Sequence, residues 1–303
     1  ETLGFTGLVV SPNSVIIADS ENDRILGVFQ TGGAATFLEL EIADAPVVFD
    51  GPAGLRFSPE GDEDHILYIA DRINNRIIST DFSDPDEDGV FEAIVLSTDA
   101  VVLSGPTGLS VSPTDLYISD SGNNRIVVKP LNGDPAHVMV LNSLPAPAMA
   151  NPLGLTVAGT DLYVADAGNN RIVRAPLNES STASVLANNG VNLAGFVPAD
   201  VFPAGEGDEL VIADAGVGRL VLAPFDASNA EELDLSEDLT TGLQSPTGLT
   251  ANQDVVFIAD AGTDPDRVVR ILILDDGGLP PTSILDVTGV SDLAIDSNED
   301  ARL

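Results

Sequence analysis

A short hairpin motif recurs along this chain and constrains its fold more than any other feature. In residues 116–128, an apolar run ending in Asp120 is followed by Ser-Gly-Asn-Asn, then by Arg125 and a second apolar run. Residues 162–173 repeat the phrase, with Asp166 and Arg171 at the same two places. Short β-branched runs around a turn rich in Gly, Asn and Asp predict two antiparallel strands. Looser copies bring the total to six hairpins and span Asp19 to Arg24, Asp71 to Arg76, Asp214 to Arg219 and Asp260 to Arg267.

The spacing of these hairpins predicts the architecture. Successive motif aspartates lie 46 to 52 residues apart, close to the roughly 40–50 residues of known propeller blades. Further strand-like runs before and after each hairpin give four antiparallel strands per repeat, which is the composition of a blade. We therefore predict an all-β fold, a six-bladed β-propeller of four-stranded antiparallel blades, as a single domain over residues 1–303. The predicted blades span residues 6–40, 51–98, 105–141, 151–186, 198–235 and 246–287.

The repeated phrases resemble a known family. Pro-x-Gly-Leu, then Leu-Tyr-x-Ala-Asp, then Gly-Asn-Asn-Arg-Ile is similar to the NHL repeat, most closely in residues 105–130 and 151–176. The resemblance covers nearly the whole chain and implies the same six-bladed propeller. It implies no single activity, because the family includes lyases, binding domains and scaffolds.

The last predicted strand has no place in a simple six-bladed ring. Residues 289–296 resemble the first strand of another blade, although blade 1 already has such a strand at residues 7–10. Three interpretations remain open for this C-terminal strand. It packs where the ends of the ring meet, it begins a longer natural chain, or it pairs with the exposed edge of another copy in a self-association.

The repeated Asp and Arg predict a structural role. The chain has 12 Lys and Arg residues in all, and six of its eleven arginines occupy the end of the hairpin motif. An Asp where a strand becomes a turn accepts hydrogen bonds from turn amides, and a guanidinium forks onto a carboxylate or onto turn carbonyls. We expect each pair to tie its hairpin together.

Composition narrows the classes of partner and compartment. The formal net charge is −36, which argues against binding to nucleic acid or to an anionic membrane, since both would be repelled. The chain has no cysteine, and no apolar run approaches the roughly 18–20 residues of a membrane span. An acidic surface suits a salty medium, divalent cations or a cationic partner. The sequence begins with Glu1 and contains no signal-like segment, so we expect an extracellular, periplasmic or cell-surface protein.

One candidate metal site lies at the mouth of the predicted channel. The loops that lead into the innermost strands contain Pro-x-Gly turns, and Asp200 stands where the other repeats have glycine. With Asp50 and Asn151 it offers several oxygen ligands, and the alternative is that Asp50 and Asn151 only cap their loops. The resemblance to gluconolactonase and paraoxonase propellers implies calcium at such a place. A zinc site of the kind found in amidating lyases is disfavoured, because His65 and His137 occupy different repeat positions.

A second candidate metal site is the acidic run of blade 2. Carboxylates at Asp84, Asp86 and Asp88, a sharp turn at Gly89, the Val90 carbonyl and the Glu92 carboxylate can surround a calcium ion. The run resembles the calcium loops on integrin-type propeller blades, with Glu in place of the last Asp.

These observations predict a calcium-stabilised binding or scaffold module, whose ligand is a protein, a carbohydrate or another small molecule. The alternative is a calcium-dependent hydrolase or lactonase working at the channel mouth. The two predictions differ in what they require of the central channel. An enzyme requires an ion beneath an open pocket with a general base nearby, whereas a scaffold allows a filled channel.

Overall fold

The computed structural model describes most of the chain from residue 5 to residue 285. The described residues are 5–11, 14–29, 36–37, 40–42, 45–58, 66–82, 91–96, 98, 101–141, 144–179, 182–186, 195–204, 209–225, 231–233, 242–252, 255–261, 267–272 and 283–285. The predicted C-terminal strand at 289–296 and most of the predicted acidic calcium loop, residues 84–90, lie outside this part of the chain.

The described residues form six sheets, one for each hairpin motif, and together they make a six-bladed β-propeller. Neighbouring strands are antiparallel except for one parallel pair at the outer edge of blade 2. Blade 1 consists of β1 (Phe5–Ser11), β2 (Ser14–Asp19), β3 (Arg24–Phe29) and β4 (Thr36–Phe37). Blade 2 contains β5 (Leu40–Ile42), β6 (Ala45–Pro46), β7 (Pro52–Phe57), β8 (Ile66–Asp71), β9 (Arg76–Asp81) and β10 (Phe91–Leu96). Blade 3 consists of β11 (Pro106–Val111), β12 (Asp115–Asp120), β13 (Arg125–Pro130) and β14 (His137–Val138).

The remaining blades repeat the order, with the innermost strand first and the outermost last. Blade 4 consists of β15 (Pro152–Ala158), β16 (Asp161–Asp166), β17 (Arg171–Pro176) and β18 (Ser184–Val185). Blade 5 consists of β19 (Pro198–Ala204), β20 (Glu209–Asp214), β21 (Arg219–Pro224) and β22 (Glu231–Leu233). Blade 6 consists of β23 (Ser245–Asn252), β24 (Val255–Ala261), β25 (Arg267–Leu272) and β26 (Ser283–Leu285). Single 3-10 turns at Ser121–Asn123 and Ala167–Asn169 form the hairpin turns of blades 3 and 4.

Blade 2 differs from its prediction at the outer edge. Blade 1 was predicted to extend to residue 40 and blade 2 to begin at residue 51, but in the structure the fourth strand of blade 1 is only Thr36–Phe37. Leu40 and Glu41 instead pair in parallel with Phe91 and Glu92 of blade 2, and the short β6 pairs on β5. The link between blades 1 and 2 therefore covers the edge of blade 2, an arrangement that also shields an unpaired strand edge.

The apolar core lies between blades rather than inside them. Ile16 and Ala18 of blade 1 pack with Leu67 and Ile69 of blade 2 in one cluster of buried residues. Comparable clusters join blades 2 and 3, 3 and 4, 4 and 5, 5 and 6, and 6 and 1. A central strand buried on both faces is apolar along its length, which explains runs such as residues 162–165, where every side chain is buried.

The ring closes where blade 6 meets blade 1. β23 contacts β1, and the Thr247 hydroxyl donates a hydrogen bond of 2.7 Å to the Phe5 carbonyl. Phe5 and Leu8 pack in one cluster with Phe257 and Val268. Among the described strands, every strand of blades 1 and 6 comes from that blade's own repeat, so closure does not exchange a strand between them.

The hairpin motif ties each blade to its connecting loop, the loop that leads into that blade's innermost strand. In blade 3, the Asp120 carboxylate accepts the Arg125 Nε–H at 2.7 Å and the Ser104 backbone N–H at 2.6 Å. The Arg125 guanidinium also donates to the Val102 carbonyl at 2.7 Å. The predicted ion pair is present in all six hairpins, and every motif aspartate is fully buried.

The second Asn of the motif joins neighbouring blades. Asn75 and Asn124 adopt the left-handed conformation, which Asn tolerates better than most residues. Their side chains accept backbone N–H groups of the next connecting loop, from Gly105 at 2.7 Å and from Asn151 at 2.6 Å. The motif is therefore a structural device both within a blade and between blades.

Candidate functional site

A ring of glycines surrounds the central axis. Gly7, Gly54, Gly108, Gly154 and Gly248 occupy the same position in five innermost strands. A Cβ atom at Gly7, Gly54 or Gly108 would lie closer to a backbone carbonyl of the next blade than van der Waals contact permits. Glycine lets these inner strands approach one another, and the central channel is correspondingly narrow.

Blade 5 departs from this ring, because Asp200 takes the glycine position. Its carboxylate lies against Gly154 of blade 4, in space that a side chain on that residue would fill. One carboxylate oxygen accepts the Val201 backbone N–H at 2.8 Å, and the other accepts the Leu249 N–H of blade 6 at 2.8 Å. Asp200 is thus held in place by blades 5 and 6 and faces the channel.

An arginine from the opposite side of the ring reaches this region. Arg56 belongs to blade 2, which lies opposite blade 5 in the ring of six, and its guanidinium carbon lies 4.9 Å from the centroid of the Phe202 ring. Arg56 and Phe202 occupy the same repeat position, two residues after the glycine or its replacement. We call this cation–π pair the cross-channel contact; a cation at this distance is attracted to the face of an aromatic ring.

The channel forms a cavity of about 180 Å³. That is many times the roughly 10–15 Å³ that one water molecule needs by the same kind of measure, so a small organic molecule fits. The lining comes from the innermost strands of all six blades and is mostly apolar side chains and backbone. Its charged residues, within the described part of the chain, are Arg56, Arg72 and Asp200.

Burial raises the pKa of the Asp200 carboxyl group. Loss of solvent raises the pKa of Asp200 to about 7, against the lowering effect of two backbone N–H groups and of the Arg56 charge. Burial also lowers the pKa of Arg56, which the Asp200 carboxylate partly offsets. Near neutral pH, Asp200 therefore exchanges between an acceptor-only carboxylate and a carboxylic acid that donates a hydrogen bond.

The structure does not bring the three predicted channel-mouth ligands together. Asp200 lines the cavity, but Asp50 and Asn151 do not. The Asp50 backbone N–H donates to Asp71 at 2.9 Å, and the Asn151 N–H donates to Asn124 at 2.6 Å, so both residues order connecting loops. Within the described ranges, no three His, Asp or Glu side chains cluster closely enough to hold a metal ion.

The other predicted residues lie away from the channel or outside the described residues. Of the predicted ligands in the acidic loop, only Glu92 is described; it is exposed on β10, and its carbonyl accepts the Thr80 hydroxyl. His137 is half exposed on the outer strand of blade 3 and bonds Glu179 of blade 4 at 2.9 Å. His65 lies outside the described residues.

Sequence reasoning missed Arg56, Arg72 and Phe202. A signal was present, because only five of the eleven arginines lie outside the hairpin motif and two of these line the channel. Aligning the inner strands on their glycine would have placed Arg56 and Phe202 at one repeat position. Whether these two residues face each other across the axis depends on the number of blades, because blades 2 and 5 are opposite only in a ring of six.

Comparison with known proteins supports the fold. A streptogramin B lyase structure superposes with a TM-score of 0.60 at 16% identity, covering 92% of this chain and 82% of that one. A chain from a nidogen/laminin complex superposes with a TM-score of 0.62 at 18% identity, covering 86% of this chain and 89% of that one. No family model matches the sequence, and no curated protein matches it. At these identities the likeness establishes the propeller fold alone.

The described residues include no helix of the length and apolarity that a membrane span requires.

Proposed function

We propose that this chain is a binding module of the NHL type, secreted and stabilised by calcium, whose ligand site is the central channel. The observation that supports this function is the cross-channel contact. Arg56 and Phe202 span a narrow cavity beside Asp200, so a guanidinium, an aromatic face and a carboxyl group converge there. A mostly apolar cavity with a few convergent polar groups is the usual form of a small-molecule site.

Solution NMR on protein with labelled leucine and valine methyl groups tests the channel as a ligand site. Leu153, Val201 and Leu249 line the cavity, whereas Val138 and Val140 are exposed on the outside of blade 3. With a library of small organic fragments, we expect binding compounds to shift the three inner resonances and to leave the two outer ones unchanged. Shifts confined to the outer methyl groups, or none at all, would overturn the proposal.

Calcium stabilisation rests on the acidic run from Asp84 to Glu92, and unfolding experiments test it directly. At a calcium concentration of about ten times Kd, binding adds about 1.4 kcal/mol to the free energy of unfolding. We expect calcium to raise the melting temperature of the wild type and a chelator to lower it, with a smaller response in Asp86→Ala. An equal response in both proteins would remove this loop as the site, and no response in either would remove calcium from the proposal.

A hydrolase or lactonase is the second candidate, favoured by the pKa of about 7 for Asp200 in the cavity. A group with that pKa is suited to general acid–base catalysis near neutral pH. The test is hydrolysis of phenyl acetate and of γ-lactones. An enzyme working through this group would lose kcat in Asp200→Asn, whereas a binding module shows no turnover in either protein.

A further inference from the structure

The described channel lining has more positive than negative charges, whereas the whole protein is strongly negative. The chain carries a formal net charge of −36, yet the described channel lining holds two arginines and a single acid. Distant surface carboxylates are screened beyond roughly 8 Å at physiological ionic strength. A ligand inside the channel therefore responds mainly to Arg56, Arg72 and Asp200.

Arg56 has hydrogen-bonding capacity that the described residues do not use. A guanidinium carries five N–H donors in one plane, and no hydrogen bond or ion pair joins Arg56 to another residue in the described part of the chain. Its guanidinium carbon lies over the Phe202 ring, 4.9 Å from the centroid. Within the described residues the N–H donors of Arg56 are therefore available, and a guanidinium can bind a carboxylate in a two-point fork.

Asp200 complements an anion rather than a cation. Both carboxylate oxygens already accept backbone N–H groups, which leaves fewer lone pairs for a bound cation. The protonated form can instead donate a hydrogen bond to an incoming carboxylate. Arg72 is exposed on the hairpin turn of blade 2 and also lines the cavity, so it provides a second positive charge at the channel opening.

We propose that the channel is a binding site for a small organic carboxylate, which is held by the in-plane donors of Arg56 against the Phe202 ring, with the Asp200 carboxyl group as a further donor. This inference rests on the proposed function, since it names the ligand class of the same cavity. The aromatic face and the apolar lining favour a carboxylate with a flat or apolar body. Small aromatic acids are the simplest members of this class.

Benzoate and benzamide are the matched probes, because they share shape and differ in charge. By titration calorimetry at about pH 6.5, we expect benzoate to bind the wild type at least about tenfold more tightly than benzamide, a difference typical of a charge-assisted hydrogen-bonded pair. Arg56→Leu should remove this preference, and Arg56→Lys should retain part of it. Arg174→Leu is the matched control, since Arg174 pairs with Asp161 on β16 and does not line the cavity.

The pH dependence gives a readout that does not need a variant of Arg56. Arg56, Arg72 and Asp200 are the charged groups of the described lining, and benzoate stays ionised above about pH 5. If the Asp200 proton is needed, benzoate affinity falls as pH rises from about 6 to about 9, by up to roughly tenfold per unit above the Asp200 pKa. Asp200→Asn should flatten that profile, because the amide donates at every pH.

Four outcomes separate the possibilities. A benzoate preference that depends on Arg56 supports the inference. Equal binding of both probes would overturn the carboxylate class while keeping the channel as a ligand site. Binding of neither probe, together with fragments that shift the inner methyl groups, would also overturn the carboxylate class. If neither the probes nor any fragment binds, Arg56 serves only to fill the channel, and the proposed function fails too.

Discussion

Blade 3 and blade 5 are built from the same repeat but differ where the repeat meets the channel and the next blade. Blade 3 has Gly108 in the glycine ring, and its Asn124 side chain bonds the connecting loop of blade 4. Blade 5 has Asp200 in the ring and Gly218 at the position of Asn124. Both blades nevertheless keep the buried Asp–Arg pair. The comparison separates the part of the repeat that forms a blade from the part that is free to change.

Two of the departures in blade 5 lie together. Asp200 and Phe202 both line the channel, where Phe202 contacts Arg56 of the opposite blade and Asp200 feels its charge. A divergent repeat in a ring of similar repeats is therefore a guide to the proposed ligand site, because the fold does not require its unusual residues. Four experiments test how far this division holds.

The largest effect is expected from the pair that all blades share. Arg171 is only 10% exposed, bonds Asp166 at 2.6 Å and also donates to the Pro145 and Pro147 carbonyls. Arg171→Ala leaves a buried carboxylate unpaired, which typically costs about 3–5 kcal/mol. We expect that loss in the free energy of unfolding, measured with urea. Arg174→Ala is the control, since the Arg174 side chain is 42% exposed and exposed pairs contribute under about 1 kcal/mol. Equal losses would show that motif arginines do not stabilise the fold more than surface ones.

Crowding in the glycine ring gives the next effect. Gly54→Ala forces a methyl group against the Thr107 carbonyl of blade 3, and overpacking of this kind costs about 1–3 kcal/mol. Gly248→Ala is the matched control, because its nearest neighbour would be the Thr6 carbonyl at 3.2 Å. Denaturant unfolding should show the larger loss in Gly54→Ala. The reverse order would mean that the ring tightens at blade 6 rather than at blade 2.

The sequence predicted the Asp–Arg pairs and the number of blades, but not the contacts that these pairs make with the connecting loops. Repetition of Asp120 and Arg125 in every copy predicted the pair, and the spacing of the copies predicted six blades. The sequence could not show that the Arg125 guanidinium also binds the Val102 carbonyl or that Asp120 accepts the Ser104 N–H. Those partners lie in an irregular loop, and no local periodicity marks them.

The candidate site was less predictable for a related reason. Asp200 was identified because it breaks a repeat, but its predicted partners Asp50 and Asn151 were chosen by residue type from connecting loops. The structure supplies Arg56 and Phe202 instead, from opposite strands. A contact across the axis has no signature in either strand alone.

A smaller effect is expected from the protonation of Asp200. Its pKa rises from 3.8 to about 7 on folding, so the folded protein holds this proton at pH values where the unfolded chain has lost it. The stabilising contribution is full below about pH 3.8 and is lost as pH rises through about 7. We expect the free energy of unfolding of the wild type to fall relative to Asp200→Asn by about 1–2 kcal/mol between pH 4 and pH 8, allowing for partial solvent screening. Parallel profiles for the two proteins would contradict the shift.

The smallest effect is expected from the hydrogen bond that Asn124 of blade 3 makes with the loop of blade 4. Blade 5 has Gly218 at this position and cannot make such a side-chain bond. Asn124→Gly keeps the left-handed turn but removes the hydrogen bond to the Asn151 N–H. A net loss of about 0.5–1.5 kcal/mol is typical of one hydrogen bond, and we expect a value near the lower end because the site is exposed. Thermal unfolding measures it, with Asn124→Ala as the comparison, since Ala loses the bond and also strains the turn. If Asn124→Ala is no worse than Asn124→Gly, the turn does not require that conformation.

The closure of the ring has a mechanical consequence. Five of the six junctions between blades are bridged by the polypeptide itself, whereas between the described residues of blades 6 and 1 the contacts are packing and the Thr247 hydrogen bond. This junction can open while the chain stays intact, because no peptide bond has to break. Blade 6 forms one side of it and also carries the Leu249 N–H that holds Asp200 across its other junction, the one with blade 5. A displacement of blade 6 as a body would therefore loosen both the closure of the ring and the channel carboxylate.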